Sequence, residues 1–390
     1  MSEVKNIPDG WVETSLGQVG KVITGKTPSK DNPEDWGNLV DFITPTEIKS
    51  ENKFIFNCPR KLSAKGLERF SKMILPEKSV IVTCIGSDMG KVVLNKDKAL
   101  ANQQINSIVV NEKNYSDFIY YLLKDSYKIL RKKAEGSGST MPILNKSTFE
   151  NLEFYIPQNI YEQKSIAEIL TSFDDKIELL QAQNKTLEAT AQTIFAEWFG
   201  KYSVDDELPD GWRVGTLETI TTLLAGGDRP KNTTALPTEK NNIPIYSNGI
   251  TNYGLYGFTD TPKIYDESVT VSARGTIGFP CLRTKPYVPI VRLISVIPNQ
   301  EYLSSKYLFL WLKNQNISGT GTTQEQLTIP DFKRIQIIIP PFELMNKFSS
   351  LMNTVYDKID KNNTQIQTLT KTRDELLPRL MSGEVRVSEL

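Results

Sequence analysis

The chain has 390 residues, 39% of them hydrophobic, with 46 basic and 46 acidic side chains and no histidine. That length allows two or three domains of ordinary soluble composition. The missing histidine removes the commonest general base and zinc ligand, and a net charge of zero gives no overall electrostatic signature of nucleic-acid binding.

Met1 to Trp11 contains no apolar run, so no signal peptide is expected. No apolar stretch approaches the roughly 18 residues of a membrane span. Cys58, Cys84 and Cys281 show no metal-ligand spacing and read as free, buried thiols of a reducing, cytoplasmic setting.

The chain opens with Ile7-Pro8-Asp9-Gly10-Trp11, and Leu208-Pro209-Asp210-Gly211-Trp212 repeats it in the second half. Further pairs follow in the same order. The loop Gly25-Lys26-Thr27-Pro28-Ser29-Lys30 has a loose counterpart in Gly227-Asp228-Arg229-Pro230-Lys231. The strand-like run 80–83, followed by Gly86 and Gly90, matches 269–272, followed by Gly275 and Gly278. The helix-like aromatic stretch 118–124 matches 307–313, and its spacing predicts core packing. The loop 136–140, leading through Phe149 to Pro157, matches 319–323, leading through Phe332 to Pro340. An internal duplication is therefore expected. Short apolar runs between Gly, Pro and Asn turns predict strands, with one or two helices per unit. The fold class is α/β (α+β) with mixed or antiparallel sheets.

Each unit is followed by a heptad seam. The first runs Ile166, Leu170, Phe173, Ile177, Leu180, Asn184, Leu187, Ala191, Ile194 and Trp198. The second runs Phe348, Met352, Val355, Ile359, Asn362, Ile366, Leu369, Arg373, Leu376 and Leu380. Two such narrow stripes need a partner, and an antiparallel intramolecular coiled coil supplies one. Setting Asn184 opposite Asn362 places Ile177 with Leu369, Leu180 with Ile366 and Ile166 with Leu380. A buried Asn pair costs stability but penalises slipped registers. Each helix would be roughly 50 Å long. The expected organisation is a first globular domain at 1–157, a long helix at 158–200, a second domain at 201–340 and a second long helix at 341–390. The whole is expected to form a pseudo-twofold molecule in which the coil spaces two similar surfaces.

No phosphate loop, dinucleotide fingerprint, metal cluster or paired catalytic carboxylates stands out. Both units instead carry loops rich in Gly, Ser, Thr, Asn, Gln, Lys and Arg at matching places. Asn and Gln suit adenine edges, Arg and Lys suit guanine, and hydroxyls and amides suit phosphates. The globular stretches are mildly basic and the first long helix is acidic.

The ordered, duplicated set resembles the specificity subunits of type I restriction–modification systems over essentially the whole chain. The resemblance rests on the two Pro-Asp-Gly-Trp openings, Gly25 to Ser29, Ile43-Thr44-Pro45, Asn102-Gln103-Gln104 and the Gly-Ser-Thr loop at 138–140. It also rests on Glu162 to Leu170, on 243–249 and on Pro340-Pro341. It implies a non-catalytic subunit with two target recognition domains that read a bipartite target. Two modification (methyltransferase) subunits carrying S-adenosylmethionine, and restriction subunits with ATP and Mg, would be its partners. No cofactor or metal is expected on this chain. On that basis Lys26, Lys30, Lys91, Arg131, Lys132, Arg229, Lys231 and Arg274 are expected to hold phosphate or guanine. Gln103, Gln104, Asn145, Asn248, Gln324 and Gln326 are expected at base edges, with Ser139, Thr140, Thr322 and Thr323 in the loops that face double-stranded DNA. The residues alone leave a second reading open, a coiled-coil adaptor with two protein-binding heads.

Overall fold

A computed structural model describes residues 7–55, 57–135, 142–318 and 325–387. The chain divides into two compact units, Met1–Leu180 with Thr364–Leu390, and Gln181–Asn363. Each unit is a mixed α+β head with part of two long helices, Ile160–Phe199 and Phe342–Met381. At 40 residues each, these helices are about 60 Å long, somewhat longer than the seams suggest. Among the described residues no helix is long and apolar enough to cross a membrane.

In the first unit, Trp11–Ser15 pairs antiparallel with Glu153–Pro157 at the base of the first long helix. The central sheet has the order Gly20–Thr24, Ile105–Val110, Val80–Thr83, Val92–Leu94, all antiparallel. Val80-Ile81-Val82-Thr83 is buried on both faces, which suits a run of β-branched residues. Val80 and Val82 pack in one cluster with the helix Ser116–Asp125. Ile81 points the other way, into a cluster with Ile43, Ala99 and Ile105. A second small sheet supplies that layer, and its Val40–Ile43 strand runs parallel to Ala99–Ala101.

The second unit repeats this order. Arg213–Thr216 pairs with Gln336–Ile339. The central sheet runs Thr221–Ala225, Ile294–Pro298, Ser268–Val271, Pro280–Arg283. Val269 and Val271 face the helix Ser305–Lys313. The opposite face differs in chemistry. Ser268 and Ser295 share the Tyr287 hydroxyl, each at 2.9 Å. Buried Arg283 donates to Thr270 Oγ1 at 2.9 Å and to the Tyr253 carbonyl at 2.7 Å, with its guanidinium 3.5 Å from the Tyr246 ring centroid. One head thus fills this layer with apolar side chains and the other with a satisfied polar cluster.

Within each unit the long helices run antiparallel. In the first, Asp174 meets Arg373, and Glu162 near the start of one helix meets Arg386 just past the end of the other. In the second, Asn184 meets Asn362, and Trp198 and Phe199 meet Phe348. The Asn register holds: Asn362 Nδ2 donates to Asn184 Oδ1 at 2.8 Å. The seam drifts toward its ends, however. Phe195, Phe199, Leu377 and Met381 enter the cores, while Ile194, Trp198 and Leu376 are only partly buried. A straight helix turns away from a strict seven-residue repeat, and here the heads cover the face that comes round. Trp11 is buried, whereas Trp212 is half-buried against Phe199 and Tyr202.

Candidate nucleic-acid interface

Strand register decides which loops meet. In the first unit Thr24 lies opposite Asn106, Thr83 opposite Ile105, and Val82 opposite Val92. The loops after Thr24, between Thr83 and Val92, and before Ile105 therefore leave from the same end of one sheet. They are tied together by main-chain bonds. Lys26 N donates to Ala101 O at 2.8 Å, Cys84 N to Gln104 O at 2.8 Å, and Leu144 N to Cys84 O at 2.8 Å. Buried Asn106 joins two of the segments, accepting from Thr24 Oγ1 at 2.7 Å and donating to Leu144 O at 3.2 Å.

This end carries Lys26, Lys30, Lys91, Gln103, Gln104 and Asn145. Lys26, Lys30 and Gln103 are exposed. Lys91 pairs with Asp88 at 2.7 Å, so it would have to exchange that carboxylate for a phosphate. Gln103 Oε1 accepts from Thr27 Oγ1 at 2.6 Å, and Gln104 Oε1 accepts from Asn102 Nδ2 at 3.1 Å. Asn145 caps the short helix Lys146–Glu150, accepting from Thr148 N at 2.8 Å. Arg131 and Lys132 lie on the helix Tyr127–Glu135. Arg131 donates to the Tyr127 hydroxyl at 2.9 Å. The Tyr127 ring lies against Gly90, where φ is +91° and an added Cβ would come within 2.8 Å of the ring. Glycine there lets the helix approach the 84–91 loop.

The second unit builds the same arrangement. Ala225 and Val271 both lie opposite Ile294, and Val271 lies opposite Pro280. Leu327 N donates to Ala273 O at 3.0 Å, repeating the Leu144–Cys84 tie. Arg229, Lys231, Arg274 and Gln326 stand on loops at this end. Arg229 donates to the Tyr256 hydroxyl at 3.0 Å. Arg274 binds Gln326 Oε1 through Nε at 3.2 Å and Nη2 at 2.9 Å. Asn248 braces the scaffold, since its Nδ2 donates to Val291 O at 2.7 Å and its Oδ1 accepts from Ala273 N at 2.8 Å. Ser139, Thr140, Thr322, Thr323 and Gln324 lie outside the described residues.

Two participants escape a sequence reading. Asn106 is the second residue of the strand Ile105–Val110, where nothing in the sequence marks it as a loop anchor. Tyr256 is exposed beside Arg229 and lies in a strand as well. Only their partners, distant in sequence, reveal them. Among the described residues no group of three Cys, Asp or Glu is placed to hold a metal. The thiols of Cys58 and Cys84 are pushed up to about 12, mainly by burial, and Cys281 is raised for the same reason.

The family model of the type I restriction modification DNA specificity domain matches the chain twice, at residues 8–189 and 209–371. The chain belongs to this family. Each match contains one copy of the loop-bearing sheet and runs on into the long helix that follows it. The type I restriction enzyme MjaIX specificity subunit of Methanocaldococcus jannaschii is 30% identical over 425 residues, covering 100% of this chain and 96% of that one. The HindI specificity subunit of Haemophilus influenzae is 34% identical over 178 residues, 44% of this chain and 38% of that protein. The crystal structure of a type I restriction–modification S subunit from M. genitalium has the same fold, with a TM-score of 0.62 and 17% identity, over 97% of this chain and 98% of that one. Membership in the specificity family makes the chain a DNA-recognition component without a catalytic role of its own.

Proposed function

We propose that each head reads one half of a bipartite, asymmetric duplex target with the loop-bearing end of its central sheet. The observation that carries this is the recurrence, in both repeats, of Lys, Arg and Gln side chains on loops held at the equivalent sheet end. Lys and Arg there would grip phosphates and guanine edges, and the amides would read adenine. The two heads would be related by a pseudo-twofold, and the helix pair would set the number of unread base pairs between half-sites.

The helices would also dock two modification subunits, which with restriction subunits complete the complex in the cytoplasm. S-adenosylmethionine, ATP and Mg belong to those partners in this reading, and the chain binds none of them. Its even charge fits a reader that leaves part of the phosphate grip to its partners.

The test is co-expression with the neighbouring modification subunit, followed by mapping of methylated adenines. A two-part motif with a fixed gap is the expected result. A continuous motif, or methylation independent of this chain, overturns the proposal. DNA retardation across a salt series, with and without the modification subunit, separates a DNA reader from a protein adaptor.

A further inference from the structure

The second heptad seam contains one charge, Arg373, between Leu369 and Leu376. Its side chain is only 11% exposed, and it reaches across to Asp174 of the first long helix, also 11% exposed, at 2.5 Å. Asp174 is held from a third side by the head, where the Tyr121 hydroxyl donates to its Oδ2 at 2.7 Å. Beside it, Lys53, 4% exposed, bonds Asp117 Oδ1 at 2.6 Å and Thr171 Oγ1 at 2.7 Å. Asp117 and Tyr121 share the helix Ser116–Asp125, and Thr171 and Asp174 share the first long helix. Burial first, and then the Asp174 carboxylate, push the Tyr121 phenol far above its ordinary range, so it remains a donor.

An apolar seam at this level would be as stable or more so, because burying charges costs several kcal/mol per ion in desolvation. What a network of directional bonds adds is a single allowed seat. The second unit shows the alternative. There the buried contact is apolar, Phe309 against Tyr356 of the long helix at 6.1 Å between ring centroids, and the head-to-helix side-chain bond from Thr284 Oγ1 to Asp360 Oδ2, at 2.9 Å, is exposed. Such apolar contacts have no fixed direction.

The geometry points to Tyr121, Asp174 and Arg373 as positioning residues that lock the first head to its helix pair at one rotation, and so hold the target to one spacer length. This rests on the bipartite reading proposed above. The network touches no DNA; it acts on which spacing the first head can reach.

The experiment uses the chain co-expressed with its modification subunit. Asp174→Leu/Arg373→Leu restores an apolar seam, and Tyr121→Phe removes one hydroxyl. Both half-site sequences are expected to stay unchanged. Methylation at spacers one base pair longer or shorter is expected to rise about tenfold relative to the native spacer in the double variant, the scale of coupling within one network. A smaller rise in the same direction is expected for Tyr121→Phe. A spacer preference as narrow as wild type overturns the inference, and so does a change in half-site bases. If the double variant does not fold, Tyr121→Phe decides alone. Amide exchange gives a second readout: faster exchange in Ser116–Asp125 is expected in either variant, and unchanged protection overturns the seat. If wild type yields no bipartite motif, the proposed function fails, and exchange still judges the seat.

Discussion

Asn184 and Asn362 meet side chain to side chain at 2.8 Å, and Asn184 passes its own Nδ2 hydrogen to Asn363 Oδ1 at the same distance. The pair is buried, at 9% and 1% exposure, and its bonds extend one residue beyond the seam. A slip of either helix would strand these amides in an apolar layer, which costs more than the pair contributes.

Asn362→Ala is therefore expected to destabilise the protein by about 1–3 kcal/mol, through the buried Asn184 Oδ1 left without its donor. Asn184→Leu/Asn362→Leu should unfold at equal or higher denaturant than wild type, while losing the barrier against other registers. Denaturant melts of both variants check this, with crosslinking of cysteines placed on the two helices reporting register.

Inserting one heptad in each long helix lengthens the pair by about 10 Å, or about three base pairs at the 3.4 Å duplex rise. The methylated motif should keep both halves and gain about three unread positions. An active complex whose gap is unchanged would show that the helices are not the ruler.

Contacts at the sheet ends should separate by type. Lys30→Ala is expected to weaken binding to all sequences alike and to reduce the salt slope by about one. Gln103→Ala is expected to relax one position of the motif, at about 1–3 kcal/mol. Arg274→Ala also releases Gln326, so its effect should be non-additive with Gln326→Ala. Binding measured at fixed salt against a panel of single-base variants distinguishes these cases.

Asp117 supplies a pH signature. Burial by itself would raise its pKa, but the Lys53 hydrogen bond and the charges of Lys53 and Lys78 outweigh burial and hold it below the ordinary aspartate range. The folded pKa is thus below the unfolded one. Its contribution to stability is fully present above the unfolded value and is lost as pH falls through the folded value. Asp117→Asn should therefore flatten the acid limb of the stability curve, followed by denaturant melts at successively lower pH.

Arg283→Ala would leave the Tyr253 carbonyl and the Thr270 hydroxyl without the bonds they now receive. A loss of about 2–3 kcal/mol is expected, confined to the second unit. Amide exchange should show it as faster opening of Ser268–Val271, with the first unit's central sheet unaffected.

The duplicated order of elements, the two long helices and the Asn register were all legible in the residues, because each depends on a period or a spacing along the chain. A seven-residue apolar repeat carries its own geometry, and two copies of Pro-Asp-Gly-Trp mark the start of each head. The drift from Ile194 to Phe195 and from Leu376 to Leu377 could not be read there, since it depends on which face each head covers. Nor could Arg373 be understood as a seam residue, because Asp174, which it reaches, and Tyr121, which holds Asp174, lie far away along the chain. The candidate interface shows the same division. Composition marked the loops that carry Lys26, Gln103, Arg229 and Arg274. Only strand register brought them to one end of each sheet, and only folding committed Asn248 and Asn106 to hold that end together. Periodicity is a property of neighbours along the chain, whereas convergence is set by long-range pairing, which no local pattern encodes.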